Sequence, residues 1–180
     1  VIDAPIVHMA TSCVWIDHYQ AQYDIAKKTI FENNARRVLY IAGKKNGYVT
    51  EERIKGMKAL ALELDLTLLI RDGDSSELEA RKLTFQYGPH KDIIVCASDL
   101  CAIGAMNALT EMDIFRPVCG FDGLTLMGYV GKQMNTVRQN FFHISAEAVK
   151  EAGNLLAGAS GMNVKLGYEL VRMQYLDIIC

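Results

Sequence analysis

From residue 37 onward the chain repeats one pattern: a short unbroken apolar run, a glycine or polar break, then a longer stretch with apolar residues at helical spacing. Residues 38–42 (VLYIA) close at Gly43. After a polar loop over 44–50, Ile54, Met57, Leu60, Ala61 and Leu64 follow at helical intervals. Residues 66–70 form the next run, stopped by Arg71, Asp72, Gly73 and Asp74, and Ser75 or Ser76 stands where a cap would open a helix reaching about Tyr87. Residues 93–97 (IIVCA) are the third run; Ser98 and Asp99 then precede Ala102, Ala105, Met106 and Leu109. Residues 117–121 are the fourth. Strands with one wet face alternate apolar and polar residues, so runs without alternation belong to a sheet covered on both sides. The expected fold class is therefore α/β, a parallel sheet with helices on both faces. Right-handed crossovers bring every strand's C-terminal end to one edge.

Two more helices are expected near residues 19–33 and 145–156, and the Val, Leu, Tyr and Ile of 164–179 read mainly as strand. The stretch AGASGMN at 157–163 is the best linker candidate.

With 180 residues, 51% of them hydrophobic, the chain can bury a core of one domain or of one domain and part of another. A net charge of -2, from 19 basic and 21 acidic residues, gives no footprint for a phosphate backbone. Five cysteines, an odd number without CxxC spacing, suggest neither a disulfide framework nor a zinc site and favour a reducing, cytoplasmic setting. No apolar run approaches the roughly 20 residues needed to span a bilayer, so no membrane partner is expected. The chain opens at Val1 rather than methionine, which reads as a trimmed N-terminus.

In open parallel sheets, ligands bind beyond the carboxyl ends of the strands. The polar residues expected there are Arg53 on the first turn after the first run, Asp74 and Ser75 after the second, Ser98 and Asp99 after the third, and Asp122 after the fourth. A guanidinium with five donors facing carboxylate acceptors suits a ligand dense in hydroxyls, or a heterocycle with donor and acceptor edges. Each residue also has a plainer reading. Asp99 reads as a helix cap, Ser98 as loop, Arg53 as a solvated charge, Asp122 before Gly123 as turn chemistry, and Trp15 in CVWID as core. The glycines of VCGFDG, Gly120 and Gly123, would let the backbone turn and leave room above the strand end. His8, His18, His90 and His143 have no metal-ligand spacing, AGKKNG lacks the phosphate-loop pattern, and no GxSxG elbow is present. No metal, cofactor or catalytic constellation is expected, and the chain does not read as an enzyme.

The segments ERIKGMKAL, IVCASDLCAIGAMNAL, VCGFDG and NTVRQNFFHISAEAV, in this order and spacing, resemble the effector-binding core of lactose-repressor-type (LacI family) bacterial transcription regulators. The resemblance covers nearly the whole chain. It implies a periplasmic-binding-protein-like type I fold. Residues 17–138 would form the C-terminal lobe, 1–16 a remnant of the N-terminal lobe, 139–160 a return to that lobe and 161–180 a final C-terminal-lobe segment. Strands crossing between the lobes would pass near Ile16, residues 138–140 and residues 159–163.

The resemblance also implies effector contacts from Arg53, three residues before Gly56, from Asp122, from Asp3 at the end of VID, and from Ser98. Trp15 would be an apolar pocket residue. Ser75 stands where many members carry an aromatic, and Ser98 where an Asn is usual. A homodimer is implied, with a sugar-like effector, and DNA contact only through a helix-turn-helix headpiece that these 180 residues lack. Single pieces such as GFDG also occur in periplasmic sugar-binding proteins of transporters, the rival reading.

Overall fold

The unbroken run at 38–42 is a strand buried on both faces, and the molecule is built outward from it. The computed structural model describes residues 1–5, 11–124 and 133–174. In chain order the elements are β1 (Cys13–Ile16), α1 (His18–Asn33), β2 (Arg37–Ala42), α2 (Tyr48–Glu63), β3 (Thr67–Asp72), α3 (Glu77–Tyr87), β4 (Ile93–Cys96), α4 (Asp99–Glu111), β5 (Val118–Cys119), β6 (Gln133–Arg138), α5 (Phe141–Leu156), β7 (Asn163–Leu166) and β8 (Glu169–Gln174).

Six strands form the main sheet in the order β3-β2-β4-β5-β6-β8, parallel except for β8, which runs antiparallel to β6. Side chains of β2 divide by parity, as a pleated strand requires. Val38, Tyr40 and Ala42 pack with Ala26 and Ile30 of α1 and Met57 and Leu60 of α2, while Leu39 and Ile41 pack with Ala80 of α3 and Ala102, Ala105 and Leu109 of α4. Both faces of the sheet are thus covered, which is why the run carries no polar alternation. From β2 the chain moves to β3 on one side and then to β4 on the other, so the strand order reverses between β2 and β4. The crevice at the carboxyl ends of this pair is where such sheets bind ligands.

A second, two-stranded parallel sheet pairs β1 with β7, Cys13 opposite Asn163 and Ile16 opposite Leu166. A third apolar cluster of Val14, Ile16, Ala21, Ile25, Phe121, Val137 and Ile144 joins this small unit and α5 to the end of the main sheet.

Several expectations change in detail. The fourth strand is only Val118–Cys119, and its direction is continued by a bridge from Asp122 to Arg138. The expected strand over 164–179 is two strands, β7 and β8, with 175–179 outside the described residues. The helix expected from 145 begins at Phe141, because the Asn140 side chain accepts from the His143 N–H and caps it. Arg53 lies in the second turn of α2 rather than the first. Ser98, not Asp99, caps α4: its hydroxyl accepts from the Cys101 N–H at 3.2 Å.

The strand β6 was expected only as a crossing near residues 138–140, not as a full strand of the main sheet. Its sequence, QMNTVR, is too polar to read as a core strand, yet Met134 to Val137 are buried between β5 and β8. Asn135 is satisfied by Thr29 and Glu32 of α1, and Thr136 by Asp99. Among the described residues no helix is long and apolar enough to cross a membrane.

Candidate functional site

Arg53 leaves α2 toward the carboxyl ends of β2 and β4 and is almost completely buried, at 6% exposure. One terminal nitrogen donates to the Ala97 carbonyl at the end of β4. The other lies 3.3 Å from His18 Nδ1 and 3.8 Å from Asp122 Oδ1. Beneath the guanidinium is the ring of Phe121, fully buried, 3.5 Å from Arg53 Cζ to the ring centroid. Arg53 Nε is buried without a hydrogen-bond partner. Burial weakens the proton affinity of this guanidinium and the Asp122 carboxylate opposes that loss; with so high an intrinsic pKa the group stays charged.

Asp122 occupies a left-handed backbone conformation at φ 116°. Its N–H donates to Val137 O at 2.9 Å, and its Oδ1 accepts from Gln139 Nε2 at 2.9 Å. Burial raises its pKa above the ordinary carboxylate range, with Arg53 and Gln139 pulling the other way. The core strand therefore ends on a carboxylate because the backbone turns there onto β6 and delivers the side chain to a cation.

Asp3 is also left-handed, at φ 68°, and its N–H donates to Val14 O at 2.8 Å, tying it to β1. Its Oδ1 lies 2.9 Å from His18 Nε2. Burial would raise its pKa, but the hydrogen bond with His18, with the Arg53 charge beyond, holds it below the usual value. Three of the expected residues, Arg53, Asp122 and Asp3, thus converge through His18.

The other three do not join this set by any hydrogen bond of the described residues. Ser98 follows Ala97, the carbonyl partner of Arg53, but its hydroxyl is engaged in capping α4. Ser75 is exposed at φ 54°, beside Gly43 and Thr50. Trp15 carries Lys165 Nζ 5.3 Å above its ring, and that lysine is paired with Asp17 at 2.7 Å.

His18, Phe121 and Gln139 were not singled out in the sequence. His18 has no metal-ligand spacing; its position at the junction of β1 and α1 was the available signal. Gln139 had none, because its place depends on the register of β6.

Asp99, expected as a cap, is fully buried and does something else. It accepts from Thr136 Oγ1 and from the Leu124 N–H, both at 2.7 Å, and so pins the turn after Asp122 to α4 and β6. Burial raises its pKa to about 7, against those hydrogen bonds and with help from the nearby Asp122 charge. The glycines of VCGFDG answer to packing rather than to space for a ligand. A side chain at Gly120 would collide with the Asp99 carboxylate, and one at Gly123, at φ 69°, would stand 2.6 Å from Arg138 Cα.

Beside this turn a cleft of about 590 Å³ opens, lined by Gly123, Arg138, Gln139, Asn140, Tyr168 and Glu169 among others. Gln139 Oε1 is a buried acceptor without a partner. Among the described residues no group of three or more His, Cys, Asp or Glu side chains is arranged to hold a metal. The arrangement offers one fixed cationic fork, two carboxylates and a free amide oxygen. It can recognise hydroxyls and amides, and both nitrogens of His18 are already engaged.

Comparison with known proteins places this geometry in context. Residues 1–134 match the family model described as periplasmic binding proteins and sugar binding domain of LacI family. The ribose operon repressor of Halalkalibacterium halodurans is 27% identical over 133 residues, 70% of this chain and 40% of that protein. The HTH-type transcriptional repressor PurR of Vibrio vulnificus is 25% identical over 154 residues, 76% of this chain and 46% of that protein. The chain thus spans less than half the length of these relatives.

Among solved structures, a LacI transcriptional regulator from a Rhodococcus species superposes with a TM-score of 0.84 at 21% identity, covering 97% of this chain and 68% of that one. A periplasmic solute-binding protein of an ABC transporter from Actinobacillus succinogenes, with bound D-allose, superposes with a TM-score of 0.81 at 20% identity, covering 94% and 66%. With residues 1–134 matching its model, the chain belongs to the family of periplasmic binding proteins and LacI-type sugar-binding domains.

Proposed function

We propose that this chain is the effector-sensing core of a LacI-type transcription regulator, binding a small polyhydroxylated molecule, a sugar or sugar derivative. The convergence of Arg53, Asp122 and Asp3 at the carboxyl edge of the sheet carries the proposal. The ligand would bridge residues 17–138, as the C-terminal lobe, and the segments 1–16 and 139–160; of the expected final segment 161–180, β7 stays paired with β1 and β8 completes the C-terminal lobe. Ser98, Ser75 and Trp15 would line its periphery.

A ligand that binds one relative placement of the two units more tightly than another shifts their equilibrium, and that difference is what a regulator transmits. In this reading the protein works as a cytoplasmic homodimer and contacts DNA through a helix-turn-helix headpiece outside these 180 residues. That the two curated relatives are named as repressors supports a regulator over a transporter component, whose fold is shared.

The test is a thermal-shift titration against a panel of sugars and nucleobases that includes D-ribose, D-allose and cellobiose. At least one compound is expected to raise the unfolding midpoint, and Arg53→Ala to abolish that rise. A panel without effect, or a rise that survives Arg53→Ala, would overturn the assignment.

A further inference from the structure

His18 is the first residue of α1, and its side chain is completely buried. Its two ring nitrogens face partners of fixed and opposite hydrogen-bonding character. Nδ1 lies 3.3 Å from the Arg53 guanidinium, which has donors only; Nε2 lies 2.9 Å from the Asp3 carboxylate, which when ionised has acceptors only. Nδ1 must therefore present its lone pair and Nε2 must carry the hydrogen. The other neutral tautomer satisfies neither contact, and an imidazolium would direct an N–H at a guanidinium.

The ring is held from both ends. Asp17, immediately before it, caps α1 by accepting from the Gln20 N–H at 2.9 Å and pairs with Lys165 of β7 at 2.7 Å. On the other side the ring lies 6.0 Å from that of Phe121. Asp3 is fastened to β1 through its backbone, and Arg53 to the end of β4 through Ala97. Between these two fastenings, the imidazole is a polar side-chain link from the small β1–β7 unit to the main sheet.

We propose that His18 is a positioning residue of the binding edge: a single neutral tautomer, hydrogen on Nε2, holds the Arg53 guanidinium and the Asp3 carboxylate in register across the two units. A ligand drawing on either group is then felt at the other through the ring. Arg53 in turn faces Asp122, which Gln139 holds, so the line of contact runs on to the chain's crossing between the units.

This inference rests on the effector-sensing reading, but its first test needs no ligand and no variant. Long-range proton–nitrogen correlation spectra of the nitrogen-15-labelled protein at neutral pH should show His18 protonated at Nε2 alone. A hydrogen on Nδ1, in either the neutral or the charged ring, would overturn the proposal.

Two substitutions extend the test. His18→Gln retains an acceptor and a donor, whereas His18→Phe keeps a ring against Phe121 and has neither. Exchange of the Arg53 guanidinium hydrogens should stay slow in wild type and His18→Gln and become faster in His18→Phe; equal protection in all three would refute the link. With D-ribose, D-allose and cellobiose as probes, a thermal shift seen in wild type should persist in His18→Gln and be lost in His18→Phe, and its persistence in His18→Phe would also refute the link. Probes without effect on wild type would count against the effector reading, while the tautomer result would stand on its own.

Discussion

Arg53 Cζ stands 3.5 Å from the centroid of the Phe121 ring, so the buried cation at the carboxyl edge of the sheet rests on an aromatic floor that solvent does not reach. A desolvated guanidinium over a ring gains up to about 2 kcal/mol, and the contact fixes the plane in which the fork presents its donors. The neighbouring Asp122 receives the same cation from the side, at 3.8 Å.

Phe121→Leu keeps apolar volume and removes the π face. It is expected to lower stability by about 1–2 kcal/mol, from the lost cation–π contact and imperfect repacking, and Phe121→Ala by about 3–5 kcal/mol. Urea unfolding measures both, and a Phe121→Leu midpoint equal to wild type would show that the ring contributes packing alone.

Arg53 and Asp122 should be energetically coupled. Arg53→Met alone leaves a largely buried carboxylate without its cation, whereas Arg53→Met with Asp122→Asn leaves no charge uncompensated between them. A double-mutant cycle should return a coupling of about 1–3 kcal/mol; additive effects would mean that the two groups act independently.

Acid should affect stability in two opposite phases. Burial raises the Asp99 pKa to about 7 in the folded protein, above its ordinary value of 3.8. The folded state then binds this proton more tightly than the unfolded state, so the associated stability is full below about pH 4 and is lost as pH rises through about 7. Asp92 behaves in the reverse sense. The Arg37 side chain, against a smaller effect of burial and with backbone N–H groups of Arg37 and Arg36 assisting, holds its pKa far below the carboxylate range. Its contribution is present above about pH 4 and is lost as pH falls further. Urea midpoints followed across pH should show Asp99→Asn flattening the neutral arm, where the raised Asp122 acts in the same sense, and Asp92→Asn flattening the acid arm. An unchanged slope in either variant would remove that residue from the account.

Glycine substitutions should separate packing from backbone freedom. Gly123→Ala meets both a left-handed φ of 69° and the Arg138 backbone at 2.6 Å, and is expected to cost more than about 2 kcal/mol. Gly153→Ala in α5 meets nothing within 4 Å and should stabilise by about 0.5–1 kcal/mol through helix propensity. Thermal or urea midpoints of the two variants shifted in the same direction would contradict this.

Much of the polar cluster at the carboxyl edge of the sheet was legible in the sequence. The β2 and β4 runs announce themselves because each is buried on both sides and carries almost no polar residue, and β3, half-buried at the sheet edge, shows in the apolar run Leu68 to Ile70. Arg53 and Asp122 follow from where those runs stop. What escaped was the body of β6 before residue 138, whose Asn135 and Thr136 are satisfied by α1 and by Asp99, partners about 100 and 37 residues away in sequence. The same distance hid Gln139, which reaches Asp122 only when β6 is in register. At residues 98–99 local pattern pointed to Asp99 as the cap, and it took the burial of Asp99 and the Cys101 N–H bond to the Ser98 hydroxyl to assign the cap to Ser98.

The sequence by itself determined the layered α/β class, the polarity of the sheet and the edge where its polar residues gather, because these depend on hydrophobic period and chain direction, which are local. Only the tertiary structure decided that His18 joins Asp3 to Arg53, that Phe121 underlies the guanidinium, and that Asp99 braces the turn after Asp122. Those relationships are contacts between segments distant in the chain. Their specificity lies in geometry and in the desolvation of charged groups, to which no single stretch of residues bears witness.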